Sequence, residues 1–193
     1  MAGSARYTAV LDANVLYSNL LRDTLLSLAT ADLYHAQWTV DIQDEWTRNL
    51  ARNRPDIAHR LPDLVALMNT AVPDCLVTGY EKLIDCIVLP DPTDRHVVAA
   101  AITGHADAIV TFNKKDFPLE VLAPYGIELQ DPDEFLTNQL QLHPMVALGA
   151  INRMRGRWKV KRTPQEMIEG YRQAGLLLTA DMLTDPDFFQ ALA

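Results

Sequence analysis

Four carboxylates, Asp12, Glu45, Asp94 and Asp116, fall where an α/β chain usually carries its chemistry. Asp12 ends the apolar run YTAVL, Glu45 closes TVDIQDE, Asp94 closes LPDPTD and Asp116 follows VTFNKK. In a parallel sheet, residues just past the carboxyl ends of strands gather along one edge, and ligands bind there. Carboxylates collected without basic partners repel one another. A hard cation that prefers oxygen ligands, Mg2+ or Mn2+, relieves that repulsion. Such a site aligns a phosphodiester, activates a water and stabilises charge on the leaving oxygen. Each acid alone also has a plainer reading. Asp12 stands where a helix N-cap would, and Glu45 suits a solvated helix face. Asp116-Phe117-Pro118 suits a turn. Asp91, Pro92 and Asp94 form a helix-start pattern, which leaves open whether Asp91 or Asp94 faces an ion. One shared site is the more economical account of four acids at one edge.

The elements that must position these acids alternate along the chain. Tyr7 to Leu11 reads as a buried parallel strand. The leucine spacing from Val15 to Tyr34 predicts one or two helices. Trp38 to Val40 reads as a second strand, with Asp41 capping a helix toward Arg52. Pro55 interrupts, and Ile57 to Ala71 predicts an amphipathic helix. Ile87 to Leu89 reads as a third strand. A helix over Val97 to Ile102 follows, ended by Gly104, then a fourth strand at Ala108 to Thr111 and a fifth at Ile127 to Leu129. Alternation of this kind implies a parallel sheet with helices on both faces. After Asp131-Pro132 the pattern turns wholly helical. Thr163-Pro164-Gln165-Glu166 forms a capping box there, and Phe188 and Phe189 read as core anchors. The division expected is an α/β domain over 1–136 and an all-helical C-terminal extension over 137–193.

Composition bounds the alternatives. Hydrophobic residues make up 49% of the 193 and charged residues 22%, enough for a full core. Two cysteines, Cys75 and Cys86, lack zinc-ligand spacing and fit a reduced, cytoplasmic setting better than a disulfide scaffold. Met1 to Arg6 lacks the layout of a signal peptide, and no apolar run reaches the roughly 18 residues of a membrane span. The net charge of −8 is unevenly spread: residues 1–151 carry 10 Lys/Arg against 20 Asp/Glu, and residues 152–193 carry 7 against 5. The basic excess is concentrated in Arg153, Arg155, Arg157, Lys159, Lys161 and Arg162. If extended, the first five would face one way as a phosphate-gripping arm, with Trp158 free to stack on a base. A solvated linker is the competing reading. His96, two residues after Asp94, is placed to polarise a phosphate, and a surface or cap-adjacent histidine is its plainer reading.

Three stretches together carry a family resemblance. Val10-Leu11-Asp12-Ala13-Asn14-Val15-Leu16 resembles the opening signature of PIN-domain nucleases. Thr111-Phe112-Asn113-Lys114-Lys115-Asp116-Phe117 resembles their late signature. Between them, Asp94-Arg95-His96-Val97-Val98-Ala99-Ala100-Ala101 is similar to the family's Asp before an Ala-rich helix, and Glu45 fits the position of its Glu more loosely. The resemblance spans roughly Tyr7 to Phe135. It implies a three-layer α/β/α fold, Mg2+ or Mn2+ dependence and hydrolysis of RNA. By position it implies Asp12, Glu45, Asp94 and Asp116 as metal-binding acids and Asn113 as a polar orienting residue. The chain is similar to the VapC-type toxin branch, which implies a VapB-type antitoxin as partner; a homodimer is left open. The long helical extension departs from the compact toxins.

Rival functions are narrowed by single residues. A haloacid-dehalogenase-type phosphatase needs an acid two residues past its first aspartate, where this chain has Asn14. A flavodoxin-like binding domain needs Gly or Ser/Thr in its first phosphate loop, and Asp12-Ala13-Asn14 makes a poor anion cradle. A non-catalytic PIN-like RNA-binding module would be expected to lack some of the acids. A solitary RNA-processing nuclease would keep them.

Overall fold

The computed structural model describes residues 7–192, so the polar lead-in Met1 to Arg6 lies outside the described residues. The chain forms two compact units, Met1–Tyr17 with Tyr34–Gln130, and Ser18–Leu33 with Asp131–Ala193. The linear division expected at residue 136 differs from this in two ways. The break falls at Gln130, and a second stretch, Ser18–Leu33, clusters with the C-terminal helices.

The first unit is built on a four-stranded parallel sheet with flanking helices. Strand β1 (Thr8–Leu11) is followed by the short helix α1 (Ala13–Tyr17); α2 (Asn19–Ala29) belongs to the second unit. Next come β2 (His35–Gln37), α3 (Val40–Asn53), α4 (Leu61–Ala71), α5 (Glu81–Ile84) and α6 (Arg95–Thr103). The unit closes with β3 (Ala108–Val110), α7 (Leu119–Leu122) and β4 (Glu128–Gln130). The strand order is β2-β1-β3-β4, all pairs parallel, with Val10 opposite Ile109 and Ile109 opposite Leu129. Ala9 to Leu11 and Ala108 to Val110 are fully buried, as near-continuous apolar runs in a parallel sheet must be. This order reverses direction between β1 and β3, the topological switch point beyond whose carboxyl ends such sheets bind ligands.

Two strand expectations fail for local reasons. The second strand lies at His35–Gln37 rather than Trp38–Val40. Trp38 makes an isolated bridge to Leu76, and the Thr39 hydroxyl accepts the Ile42 amide at 3.1 Å, so Thr39 starts α3. Asp41, expected as the cap, sits in the first turn and accepts the Tyr80 hydroxyl at 2.7 Å. Ile87 to Leu89 joins no strand: Ile87 and Leu89 are buried while Val88 is 75% exposed, so the alternation serves burial of a loop. Gly104 ends α6 as expected, and a Cβ there would collide with Gln37 Oε1.

The second unit is helical. It combines α2 with α8 (Pro132–Leu142), α9 (Pro144–Arg157), α10 (Pro164–Gln173), α11 (Leu177–Thr184) and α12 (Pro186–Leu192). Leu21, Leu25 and Leu28 of α2 are fully buried, and α2 packs on α9 and α10. The hydroxyls of Thr24 and Tyr171 share a buried hydrogen bond of 2.7 Å. The Thr163/Glu166 capping box forms as expected. Asp133 is buried and accepts the Leu178 amide at 2.7 Å and the Thr179 amide at 2.8 Å, which caps α11 from 45 positions away. Phe188 and Phe189, expected as anchors, are only half-buried; Leu192 is the fully buried residue of α12. Among the described residues, no helix is long and apolar enough to cross a membrane.

Candidate active site

Asp12 leaves β1 at the switch point with its backbone N–H donated to the Val110 carbonyl at 3.1 Å, which locks it against β3. Its carboxylate is 5% exposed and accepts three hydrogen bonds. The Ala13 amide donates to Oδ1 at 2.6 Å; the Thr111 hydroxyl at 2.7 Å and Asn14 Nδ2 at 2.6 Å donate to Oδ2. Burial raises the pKa of Asp12, the Thr111 and Ala13 bonds lower it, and the charge of Glu45 raises it again.

Thr111 organises this corner. Its hydroxyl donates its one hydrogen to Asp12 and accepts Asn14 Nδ2 at 2.8 Å and the Asn113 amide at 2.9 Å. A hydroxyl has one hydrogen and two lone pairs, so Thr111 has no capacity left. Asn14 returns a bond to the same loop, accepting the Phe112 amide at 3.1 Å. Neither Asn14 nor Thr111 stands out as a site residue in the sequence, although both lie inside the stretches that carry the resemblance. The available signal is an amide two residues past Asp12 and a hydroxyl at the end of β3.

Asp94 and Asp91 separate clearly. Asp91 accepts both the Thr93 amide at 2.8 Å and its hydroxyl at 2.7 Å, and these bonds hold its pKa below the usual carboxylate range. It caps the single turn Pro92–Asp94. Asp94 is half-buried and accepts Asn113 Nδ2 at 3.2 Å. Burial first, then the charges of Asp12, Asp91, Glu45 and Asp116, push its pKa up to about 6. The other three acids expected to share the site therefore act on the Asp94 carboxyl, with Asp91 added. Glu45, on α3, lies 3.6 Å from His96 Nε2, so the histidine read as a surface residue is a neighbour of the acids, its side chain only 13% exposed.

Among the described residues, no group of three or more His, Cys, Asp or Glu side chains is placed to hold a metal ion. Mg2+ does not need three protein ligands: it keeps several waters and is held by one or two carboxylates together with substrate phosphate. An all-oxygen set of carboxylates acting on Asp94 fits such a cation and does not fit a soft metal.

The basic strip is not extended. Helix α9 runs through Arg157, so Arg153, Arg155 and Arg157 wind around it, with Met154 buried between them. An alternating spacing that would share one face of a strand is split across a helix. Arg157 donates to Ser27 Oγ at 2.8 Å and lies 3.7 Å from Asp23, while Trp158 Nε1 donates to Asp23 at 2.8 Å. The indole expected to stack on a base is thereby held within the unit, with the Arg162 guanidinium 5.5 Å from its ring centre. Arg155 donates to the Leu192 carbonyl and Lys161 to the Gly156 carbonyl, each at 2.5 Å. Arg153 and Lys159 are exposed.

Two family models match the chain. One described as a PIN domain covers residues 8–115, and one described as the VapC50 C-terminal domain covers residues 132–185, starting at the first residue of α8. A protein of Mycobacterium tuberculosis named "Putative ribonuclease VapC50" is 41% identical over 88 residues, which are 44% of this chain and 52% of that protein. The chain thus spans about half the length of the curated relative it matches. No solved structure matches significantly.

Proposed function

The chain belongs to the PIN-domain family, and from that premise we propose that it is an endoribonuclease hydrolysing phosphodiester bonds of single-stranded RNA with Mg2+ or Mn2+. The observation that carries this reading is the gathering of acids about Asp94, whose pKa is raised to about 6 by burial first and then by the charges of Asp12, Asp91, Glu45 and Asp116. Asp12, Asp94 and Asp116, with Glu45 beside them, would hold the cation. When bound, it supplies Lewis acidity at the phosphodiester and neutralises part of its charge.

The remaining work falls to the chain's own groups. Thr111, Asn14 and the Ala13 amide hold both oxygens of Asp12 in one orientation, so the carboxylate is ordered before a ligand arrives. Asn113 Nδ2 donates to Asp94 Oδ2 and so orients that carboxylate. His96 stands beside Glu45 and, when protonated, offsets part of the negative charge there.

The toxin assignment rests on the second family match and on the relative's printed name. On this reading the partner is a VapB-type antitoxin and the setting is the cytoplasm. The deciding experiment is cleavage of single-stranded RNA by purified protein in Mg2+ or Mn2+, with and without EDTA. Chelation is expected to abolish cleavage and readded metal to restore it. Equal degradation in EDTA would overturn the metal-dependent mechanism.

A further inference from the structure

The loop that follows β3 is fastened to the acid cluster at each of its first three residues. Thr111 donates its hydroxyl to Asp12 at 2.7 Å, and Asn113 Nδ2 donates to Asp94 Oδ2 at 3.2 Å. Between them, the Phe112 amide donates to Asn14 Oδ1 at 3.1 Å. The Asn113 amide closes the turn by donating to Thr111 Oγ1 at 2.9 Å. With its backbone held on both sides, the Phe112 ring is moved only by its own side-chain torsions. Whatever those torsions are, it stays within one side chain's length of a backbone that carries the partners of Asp12 and Asp94.

That ring is 42% exposed. Phe117, later in the same stretch, is 1% exposed, so one loop buries one phenyl ring and leaves the other in water. An exposed apolar side chain taken singly means little. Its footing among the partners of the acids sets this one apart, and so does the charge beside it. Residues 1–151 carry 20 Asp/Glu against 10 Lys/Arg, yet the loop runs on into Lys114 and Lys115, both exposed. The Lys115 charge is near enough to lower the pKa of Asp91, three residues from Asp94. An apolar ring, an ammonium group and carboxylates suited to a cation are complementary to a base, a phosphate and the phosphodiester being cut. Every base has a π-face, and stacking on an aromatic side chain is tolerant of sequence. A protein segment could also cover the ring, but Lys115 and the neighbouring cation site both call for phosphate.

We propose that Phe112 is the stacking platform for a base beside the scissile phosphate of single-stranded RNA, with Lys115 on an adjoining phosphate. The substrate's identity rests on the ribonuclease reading; the platform adds a contact that tells a strand carrying bases from a bare backbone. It lies on the same loop as Asn113, so a base stacked there positions the strand against the acids.

The test is anisotropy of two fluorescein-labelled single strands of equal length, one of RNA and one of abasic ribose-phosphate units, titrated with the full chain at several salt concentrations. Ca2+ replaces Mg2+ in these titrations, as a hard cation that also takes carboxylate oxygens. The wild-type chain is expected to bind the RNA more tightly than the abasic strand. Phe112→Leu should weaken binding of the RNA roughly tenfold and leave the abasic strand as it was. Its log–log salt slope should not change, since no phosphate contact is lost. Lys115→Gln should weaken both strands and flatten the slope by roughly 0.7. Tyr125→Leu, which removes an exposed ring ahead of β4 at the opposite edge of the sheet, serves as control and should change nothing. Equal affinity of the wild-type chain for the two strands overturns the platform. An RNA affinity that Phe112→Leu leaves unchanged also overturns it, and leaves the ring to a protein partner. Should Phe112→Leu lower the melting temperature, Phe112→Trp decides: it keeps an aromatic face and must keep the preference for the strand with bases. A chain that shows this preference yet cuts nothing with Mg2+ sinks only the nuclease reading. A chain that cuts RNA while its Phe112→Leu variant keeps full affinity sinks only the platform.

Discussion

Asp12 and Asp133 are buried to nearly the same depth, 5% and 6% exposed, and face opposite surroundings. Asp133 meets two backbone amides at the start of α11, where the residue in the cap position, Leu176, has no side chain that could accept them. The helix dipole also favours a negative charge there. Asp12 accepts from a hydroxyl, a carboxamide and one amide, and Glu45 pushes against it. Depth of burial therefore does not mark an acid as chemical. What marks it is whether the groups around it satisfy its charge or leave part of it for a ligand.

The largest expected effect tests the acid side of this contrast. Asp94→Asn keeps the volume and the Asn113 neighbour but removes a charge the cation needs. RNA cleavage should fall to background, while the metal-free melting temperature stays level or rises as repulsion is relieved. Wild-type cleavage by this variant would make Asp94 another structural acid.

Asp133→Ala should do the opposite. Losing a cap and orphaning two amides is expected to cost roughly 2–4 kcal/mol in urea unfolding. Cleavage per folded molecule should hold. A fall in cleavage by protein that remains folded would blur the distinction between the two aspartates.

Asp91→Ala sharpens the contrast at close range, because Asp91 lies three residues from Asp94 yet spends its carboxylate on Thr93. Stability should fall by about 1 kcal/mol, the usual figure for a cap, with cleavage retained. A dead Asp91 variant would move the working acid by one turn.

The smallest effect is on pH dependence. A folded pKa of about 6 for Asp94 lies above the ordinary aspartate value of about 3.9. Between those values the folded chain holds a proton that the unfolded chain lacks. Stability without metal should therefore rise as pH falls from about 7 toward about 4. The cation needs the ionised form, so the gain in melting temperature from Mg2+ should shrink over the same interval. Asp94 is only half-buried, which keeps both shifts modest. Thermal melts with and without Mg2+ across this range check the sign, and a metal-induced gain that grows on acidification would contradict it.

How much of this is legible in the sequence follows from how local each cause is. β1 and β3 are uninterrupted apolar runs and Asp12 directly follows one of them, so strand and acid can be read together. The capping box at Thr163 and the stop at Gly104 are equally local. Ile87 to Leu89 misleads because alternating burial needs no strand partner. The basic strip misleads because its period of two lies partly on a helix that continues to Arg157. Asp133 is illegible because its partners lie 45 positions on. Thr111 matters through its bonds to Asp12 and Asn14, which only the pairing of β1 with β3 brings about.

The early position of α2 has a consequence for synthesis. Thr24 Oγ1 and Met154 Sδ meet at 3.6 Å across 130 positions, so α2 leaves the ribosome long before α9 and α10 exist to cover it. Closing so long a loop adds little free energy per added residue but delays the meeting of its ends. During that interval Leu21, Leu25 and Leu28 form a bare stripe, a ready target for a chaperone or for another nascent chain. A chain stopped after Gln130 would retain the sheet and all four acids and never cover that stripe.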